Sequence, residues 1–205
     1  MKPIMIVGTS SERRQQLAVK HFSDKFELLY LSPDINEKAY RSSCPETLTK
    51  LIAEAKMDRI RQLIESDEKL RLSVHSNQHS VAVTFDQVVV SGGEIREKPV
   101  SDVECRAFIR SYSNSSVATV QTTVVYHFAT KKMVSAPNHT MTYFREISDE
   151  AIERIVARGA CRHTAGALII EDQDMLARMI KIDPGDADAV QGMCVQVIHN
   201  LLNLF

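Results

Sequence analysis

The 205-residue chain has no tryptophan, only seven glycines and six prolines, and four scattered cysteines. So few glycines and prolines exclude a collagenous or linker-dominated chain. Cys44, Cys105, Cys161 and Cys194 form no C-x-x-C pair, so neither a zinc ribbon nor a redox dithiol is signalled, and free thiols in a reducing compartment are expected. An excess of either charge is also lacking. Twenty-five basic against 26 acidic residues leave a net charge of −1, without the broad cationic field of a non-specific nucleic-acid binder. No apolar run approaches the ~20 residues that span a bilayer, and the apolar segment 3–7 is shorter than a signal-peptide core. These absences predict a soluble, cytoplasmic protein. What is present is ordinary: 44% hydrophobic and 25% charged residues, in a length that suits one domain or two lobes sharing a core.

Periodicity predicts alternating strands and helices. Residues 3–8 and 26–31 are short apolar runs ended by turn residues, and so read as buried strands. Between them, Ser10 or Ser11 can cap a helix reaching about Lys20. Pro45 opens a long helix whose apolar stripe is Leu48, Leu51, Ile52, Ala55, Ile60, Leu63 and Ile64. Residues 81–90 are strand-rich. Ser101-Asp102-Val103-Glu104 has capping-box spacing, and Ser148 and Gly159 bracket another helix. Residues 116–128 and 133–145 are β-branched and read as an antiparallel pair. A last helix is expected over 190–204. The pattern predicts an α/β fold with a mixed sheet and a smaller lobe.

Functional candidates stand where this pattern is broken. Lys56 falls on or beside the apolar stripe of its helix, where an ammonium must reach the rim or find an anion. Asp86 interrupts a β-branched run, Val81-Ala82-Val83-Thr84-Phe85 and Val88-Val89-Val90, although aspartate is depleted in strands. It reads either as a ligand or base at the end of a buried strand or as a hairpin turn with Gln87. Arg13-Arg14 follows Thr9-Ser10-Ser11 at a strand-to-helix junction, a place suited to phosphate, although paired arginines are also common on solvated faces. Cys161-Arg162-His163 and the pair His75 and His79 lack matching metal ligands, and read as a buried thiol and surface imidazoles. There is no Walker A, no Rossmann glycine fingerprint and no G-x-S-x-G elbow.

Taken in order, these segments resemble the Maf family of nucleoside triphosphate pyrophosphatases, also called septum-formation-inhibitor proteins. The matching stretches are Thr9-Ser10-Ser11-Glu12-Arg13-Arg14, Pro33-Asp34-Ile35-Asn36-Glu37, Ile52-Ala53-Glu54-Ala55-Lys56 and Asp86-Gln87-Val88. Farther on come Gly93-Glu94-Ile95 with Lys98-Pro99, the segment 165–171 ending in Glu171, and the degraded Val190-Gln191-Gly192-Met193-Cys194. Thr9, Glu12 and Asn36 replace the family's serine, proline and aspartate.

The resemblance implies a mixed twisted sheet with flanking helices, two lobes around a deep cleft (Maf- and ITPase-like), in one domain over 1–205, and often a homodimer. It implies hydrolysis of the α–β phosphate bond of a nucleoside triphosphate to a monophosphate and pyrophosphate, with a divalent cation (Mg, Mn or Co). Asp86, Lys98 and Lys56 would be catalytic. Glu37, Asp86 and Glu171 would hold the metal. Thr9, Ser11, Arg13, Arg14, Gln87 and Glu171 would bind substrate. Asp86-Gln87-Val88 with Glu171 is similar to the branch acting on 7-methyl-GTP. The alternatives are a dTTP/UTP pyrophosphatase or a catalytically weakened nucleotide-binding regulator of cell division. Neither a membrane nor a nucleic-acid polymer is expected as a partner.

Overall fold

The structure is a computed structural model that describes residues 2–205. Its strands are β1 (Ile4–Gly8), β2 (Glu27–Leu31), β3 (Val81–Ser91), β4 (Glu94–Arg96), β5 (Ser116–His127), β6 (Lys132–Phe144) and β7 (Met179–Ile182). Its α-helices are α1 (Glu12–Phe22), α2 (Pro45–Ser66), α3 (Glu68–His75), α4 (Asp102–Tyr112), α5 (Asp149–Arg158), α6 (Gln173–Arg178), α7 (Ala187–Val190) and α8 (Val195–Leu202). The strands form one mixed seven-stranded sheet in the order β2-β1-β3-β5-β6-β7, with β4 paired to β3. The pairs β1–β2 and β1–β3 are parallel, whereas β3–β4 and β6–β7 are antiparallel. No helix among the described residues is long and apolar enough to cross a membrane.

The chain divides into two compact units. The first contains the chain up to Asp86, together with Gln121–Asn138 and Gln191–Phe205. Its core follows directly from strand alternation. Ile4, Ile6 and Ala82 pack with Ala53, Met57, Ile60 and Ile64 of α2, whereas Met5, Val7, Val81, Val83 and Phe85 pack with Leu17, Ala18 and Phe22 of α1 and Ile198 and Leu201 of α8. Period two thus sends even and odd residues to opposite faces. Helices cover both faces, which explains why β1 is buried throughout. The second unit contains Gln87–Val120 and His139–Val190, with a core built on Cys105, Ile109, Tyr112, Ile152, Ile155 and Met175.

Local signals set most element ends. Ser11, Ser101 and Ser148 each accept a backbone N–H in the first turn of the helix that follows. Glu104 accepts the N–H of Val100 at 2.7 Å rather than that of Ser101, so the capping box is displaced by one residue. Gly159 ends α5 at φ +79°, a left-handed conformation that a side chain would oppose. The connection between β5 and β6, residues 128–131, is short enough only for an antiparallel hairpin.

Three expectations need correction. The buried stripe of α2 is Leu48, Thr49, Ile52, Ala53, Lys56, Met57, Ile60 and Ile64. Leu51 is exposed, because the helix buries the small residue Ala53 where it crosses the sheet. The single helix expected over 190–204 is two helices, α7 and α8, interrupted by Gly192 at φ +92°. The sequence pattern also passed over α3, which Asp67 caps through the N–H of Leu70.

Candidate active site

The candidate residues of the first unit gather at the carboxyl ends of its parallel strands. Gly8, the last residue of β1, pairs with Thr84 of β3. Asp86 therefore extends beyond the end of β1, where ligands of open α/β sheets are bound. It lies in the continuous strand Val81–Ser91, so the hairpin-turn alternative is excluded. Alternation puts Thr84 and Asp86 on the face covered by α2, and Thr84 Oγ1 donates to the Ala53 carbonyl at 2.8 Å. That bond docks α2 on β3, three residues before Lys56.

Lys56 does not reach for the rim. Its ammonium is buried and donates to Asp86 Oδ1 at 2.8 Å and to the Phe85 carbonyl at 3.3 Å. Glu37 Oε1 lies 2.8 Å from the same nitrogen. With three such acceptors, all three protons of the ammonium have a place to go. The Asp86 side chain is 8% exposed and that of Glu37 is 53% exposed, so the second carboxylate stands at the rim of the site. Burial pushes the Asp86 carboxyl above the usual carboxylate range, opposed chiefly by Lys56 and more weakly by Arg14. A buried ion pair of this kind adds little to stability, since desolvation offsets its attraction. Its worth must therefore be sought elsewhere.

Arg14 approaches from α1. The preceding turn is built by hydroxyls: Ser11 N–H donates to Thr9 Oγ1 at 3.1 Å, and Arg14 N–H to Ser11 Oγ at 3.5 Å. The Arg14 guanidinium lies 5.6 Å from the centre of the Phe85 ring, on the opposite face of β3 from Asp86. Desolvation lowers its pKa, while Asp86 and Glu37 pull it back up. It remains a cation throughout. Arg13 sits beside it in the first turn of α1 and is half-buried.

The structure thus brings Thr9, Ser11, Arg13, Arg14, Glu37, Lys56 and Asp86 into one unit. Gln87, Lys98 and Glu171 belong to the second. Gln87 Nε2 donates to the Val190 carbonyl at 2.8 Å, and its buried Oε1 accepts from no donor among the described residues. Lys98 is exposed in the loop before α4, and Glu171 is exposed ahead of α6. Sequence reasoning missed Phe85, which faces the Arg14 guanidinium, and the buried Gln121, which bonds the backbone of Gly192 and Cys194 in the same unit. Gln121 could have been singled out as the one amide in a run of β-branched residues.

A divalent cation would require hard oxygen ligands. No group of three or more His, Cys, Asp or Glu side chains gathers among the described residues. Asp86 and Glu37 nevertheless converge on one cation, the Lys56 ammonium. Two carboxylates in such a place fit a magnesium-like ion, which takes one or two carboxylates and completes its shell with water and substrate phosphate.

The chain is similar over nearly its whole length to known proteins. A 7-methyl-GTP pyrophosphatase of Dictyostelium discoideum is 32% identical over 200 residues, which is 97% of this chain and 95% of the relative. A dTTP/UTP pyrophosphatase of Chlamydia trachomatis is 27% identical, covering 100% of this chain and 95% of its own. One from Pyrococcus abyssi is 25% identical, over 98% and 96%. The family model described as Maf-like protein matches residues 4–205, and the chain belongs to that family.

Proposed function

We propose that the protein is a metal-dependent nucleoside triphosphate pyrophosphatase that hydrolyses the α–β phosphate bond, with 7-methyl-GTP as its preferred type of substrate. The observation that carries this reading is the buried Lys56–Asp86 pair, with Glu37 and Arg14 beside it, at the carboxyl end of parallel strands. Such a set places both signs of charge where a polyphosphate and its counter-ion can exchange partners with the protein.

Hydrolysis at the α-phosphorus needs a water oriented for attack and charge neutralised on the departing pyrophosphate. Asp86 is the group to orient that water and take its proton, because its raised pKa makes it a stronger base than a solvated carboxylate. Lys56 fixes the orientation of Asp86 and opposes the upward push that burial gives its carboxyl. Arg13 and Arg14 are the phosphate-gripping pair. Glu37 and Asp86 would hold the divalent cation. When bound, the cation supplies charge neutralisation on the phosphates. The roles of Lys98, Gln87 and Glu171 rest on the resemblance and are tested one residue at a time.

The methylguanine preference is supported by the 32% identity to a relative of that name, against 27% and 25% for the dTTP/UTP pyrophosphatases. Nucleoside triphosphates are held in the cytoplasm, the compartment this substrate implies. The test is pyrophosphate release from UTP, dTTP, GTP and 7-methyl-GTP with Mg, Mn or Co. Selective release from 7-methyl-GTP is expected. Selective release from UTP or dTTP would keep the reaction and overturn the substrate, and binding without release would make the protein a regulator.

A further inference from the structure

The turn at Gly192 lies against the site and has no role in the reaction as derived above. A Cβ built on Gly192 would lie 2.7 Å from Arg14 Nη2 and 2.8 Å from Arg14 Nε. The guanidinium therefore rests on bare backbone, closer than any side chain would allow. The residue's φ of +92° is left-handed, so glycine is favoured here by conformation as well as by space. The turn is itself fixed from the sheet. Gln121 is fully buried on β5, its Nε2 donates to the Gly192 carbonyl at 2.6 Å, and its Oε1 accepts the N–H of Cys194 at 3.2 Å. Both ends of one amide are thus committed to a single turn. Arg14 has a second restraint in the Phe85 ring.

We infer that Gly192 and Gln121 are positioning residues for Arg14: together they build a Cβ-free seat that holds the guanidinium over Phe85 and within electrostatic reach of Asp86 and Glu37. The benefit is preorganisation. An unrestrained arginine carries much rotamer entropy, part of which is lost when phosphate orders it. A seated one has already lost it in folding. The inference rests on the pyrophosphatase reading for its purpose, although the seat itself is a property of the free protein.

The test is a double-mutant cycle read in two ways. Gly192→Ala should lower kcat/KM about tenfold, mostly by raising KM, in line with one weakened charge-assisted contact. In an Arg14→Ala background the same change should have less than about a twofold further effect, because no guanidinium is left to displace. Gly92→Ala is the control for backbone strain: it has φ +61° with no atom within 4 Å of the added Cβ. It should lower the melting temperature without changing KM. Independently of turnover, the Arg14 Nε–H resonance should be resolved and slow to exchange in the free wild type and in Gly92→Ala, and lost in Gly192→Ala. If Gly192→Ala does not fold, Gln121→Met, which removes both amide bonds, should show the same loss. Additive losses in the cycle, or an unchanged Arg14 resonance, would overturn the inference. A wild type that releases no pyrophosphate from any nucleotide would instead defeat the proposed function, and the resonance would still decide the seat.

Discussion

Asp86 and Lys56 were the two residues that the strand and helix patterns could not absorb, and each resolves the other's anomaly across 2.8 Å. Burial raises the Asp86 carboxyl above the usual carboxylate range, so in the metal-free protein its titration, followed by NMR, should fall at a higher pH than that of a solvated aspartate. Asp86→Asn should keep the fold, since an amide oxygen can still accept from Lys56, and should cost on the order of 10³-fold in kcat. Circular dichroism and steady-state kinetics check both halves, and near-normal turnover would mean that the base lies elsewhere. Lys98→Ala should also lower kcat, with its melting temperature unchanged because the side chain is exposed. The pairing of Lys56 with Asp86 could not be read from the sequence, because it depends on where α2 crosses β3. The bond between Thr84 and Ala53 sets that crossing.

Among the elements, caps and glycines announced themselves, whereas short elements did not. Ser148 and Gly159 bracket α5 where their chemistry puts them. By contrast β4, with three residues, and β7, with four, are too short for period two to stand out. The helix-like spacing of apolar residues from Val190 to Leu204 conceals the turn at Gly192, where tertiary bonds from Gln121 override helical periodicity. In the second unit, Arg154 and Arg158 of α5 grip Asp172 and Asp174 at the start of α6. They hold the Asp174 carboxyl down to about 2. This contribution to stability is complete above the unfolded-chain value near ~4 and is lost as the pH falls through about 2. The arginines are partly exposed, at 53% and 34%, so solvent screening limits the effect to about 1 kcal/mol. Asp174→Asn should then lower the melting temperature by roughly 2–4 °C at pH 7. The difference should shrink towards zero near pH 2, and a deficit independent of pH would point to packing instead.

At the scale of the whole molecule, alternation and helix spacing were enough to give an α/β fold with a mixed sheet, because the parallel strands of the first unit are buried on both faces and read as plain apolar runs. The four thiols offer a simple check on the packing of both units. Cys44 is exposed, whereas Cys105, Cys161 and Cys194 are buried, and burial pushes the Cys105 thiol up to about 12, with Cys161 adding to the shift. A thiol-disulfide reagent should therefore modify one cysteine rapidly in the native protein and all four in denaturant. Rapid reaction of a second thiol would show that one of the cores is open.

The reaction is defined by which bond is broken and which phosphorus is attacked. The most direct measurement is mass spectrometry of the products formed from 7-methyl-GTP in heavy-oxygen water with a divalent cation. Attack at the α-phosphorus puts one heavy oxygen in the 7-methylguanosine monophosphate and none in the pyrophosphate. Label in the pyrophosphate, or release of orthophosphate with a diphosphate, would contradict it.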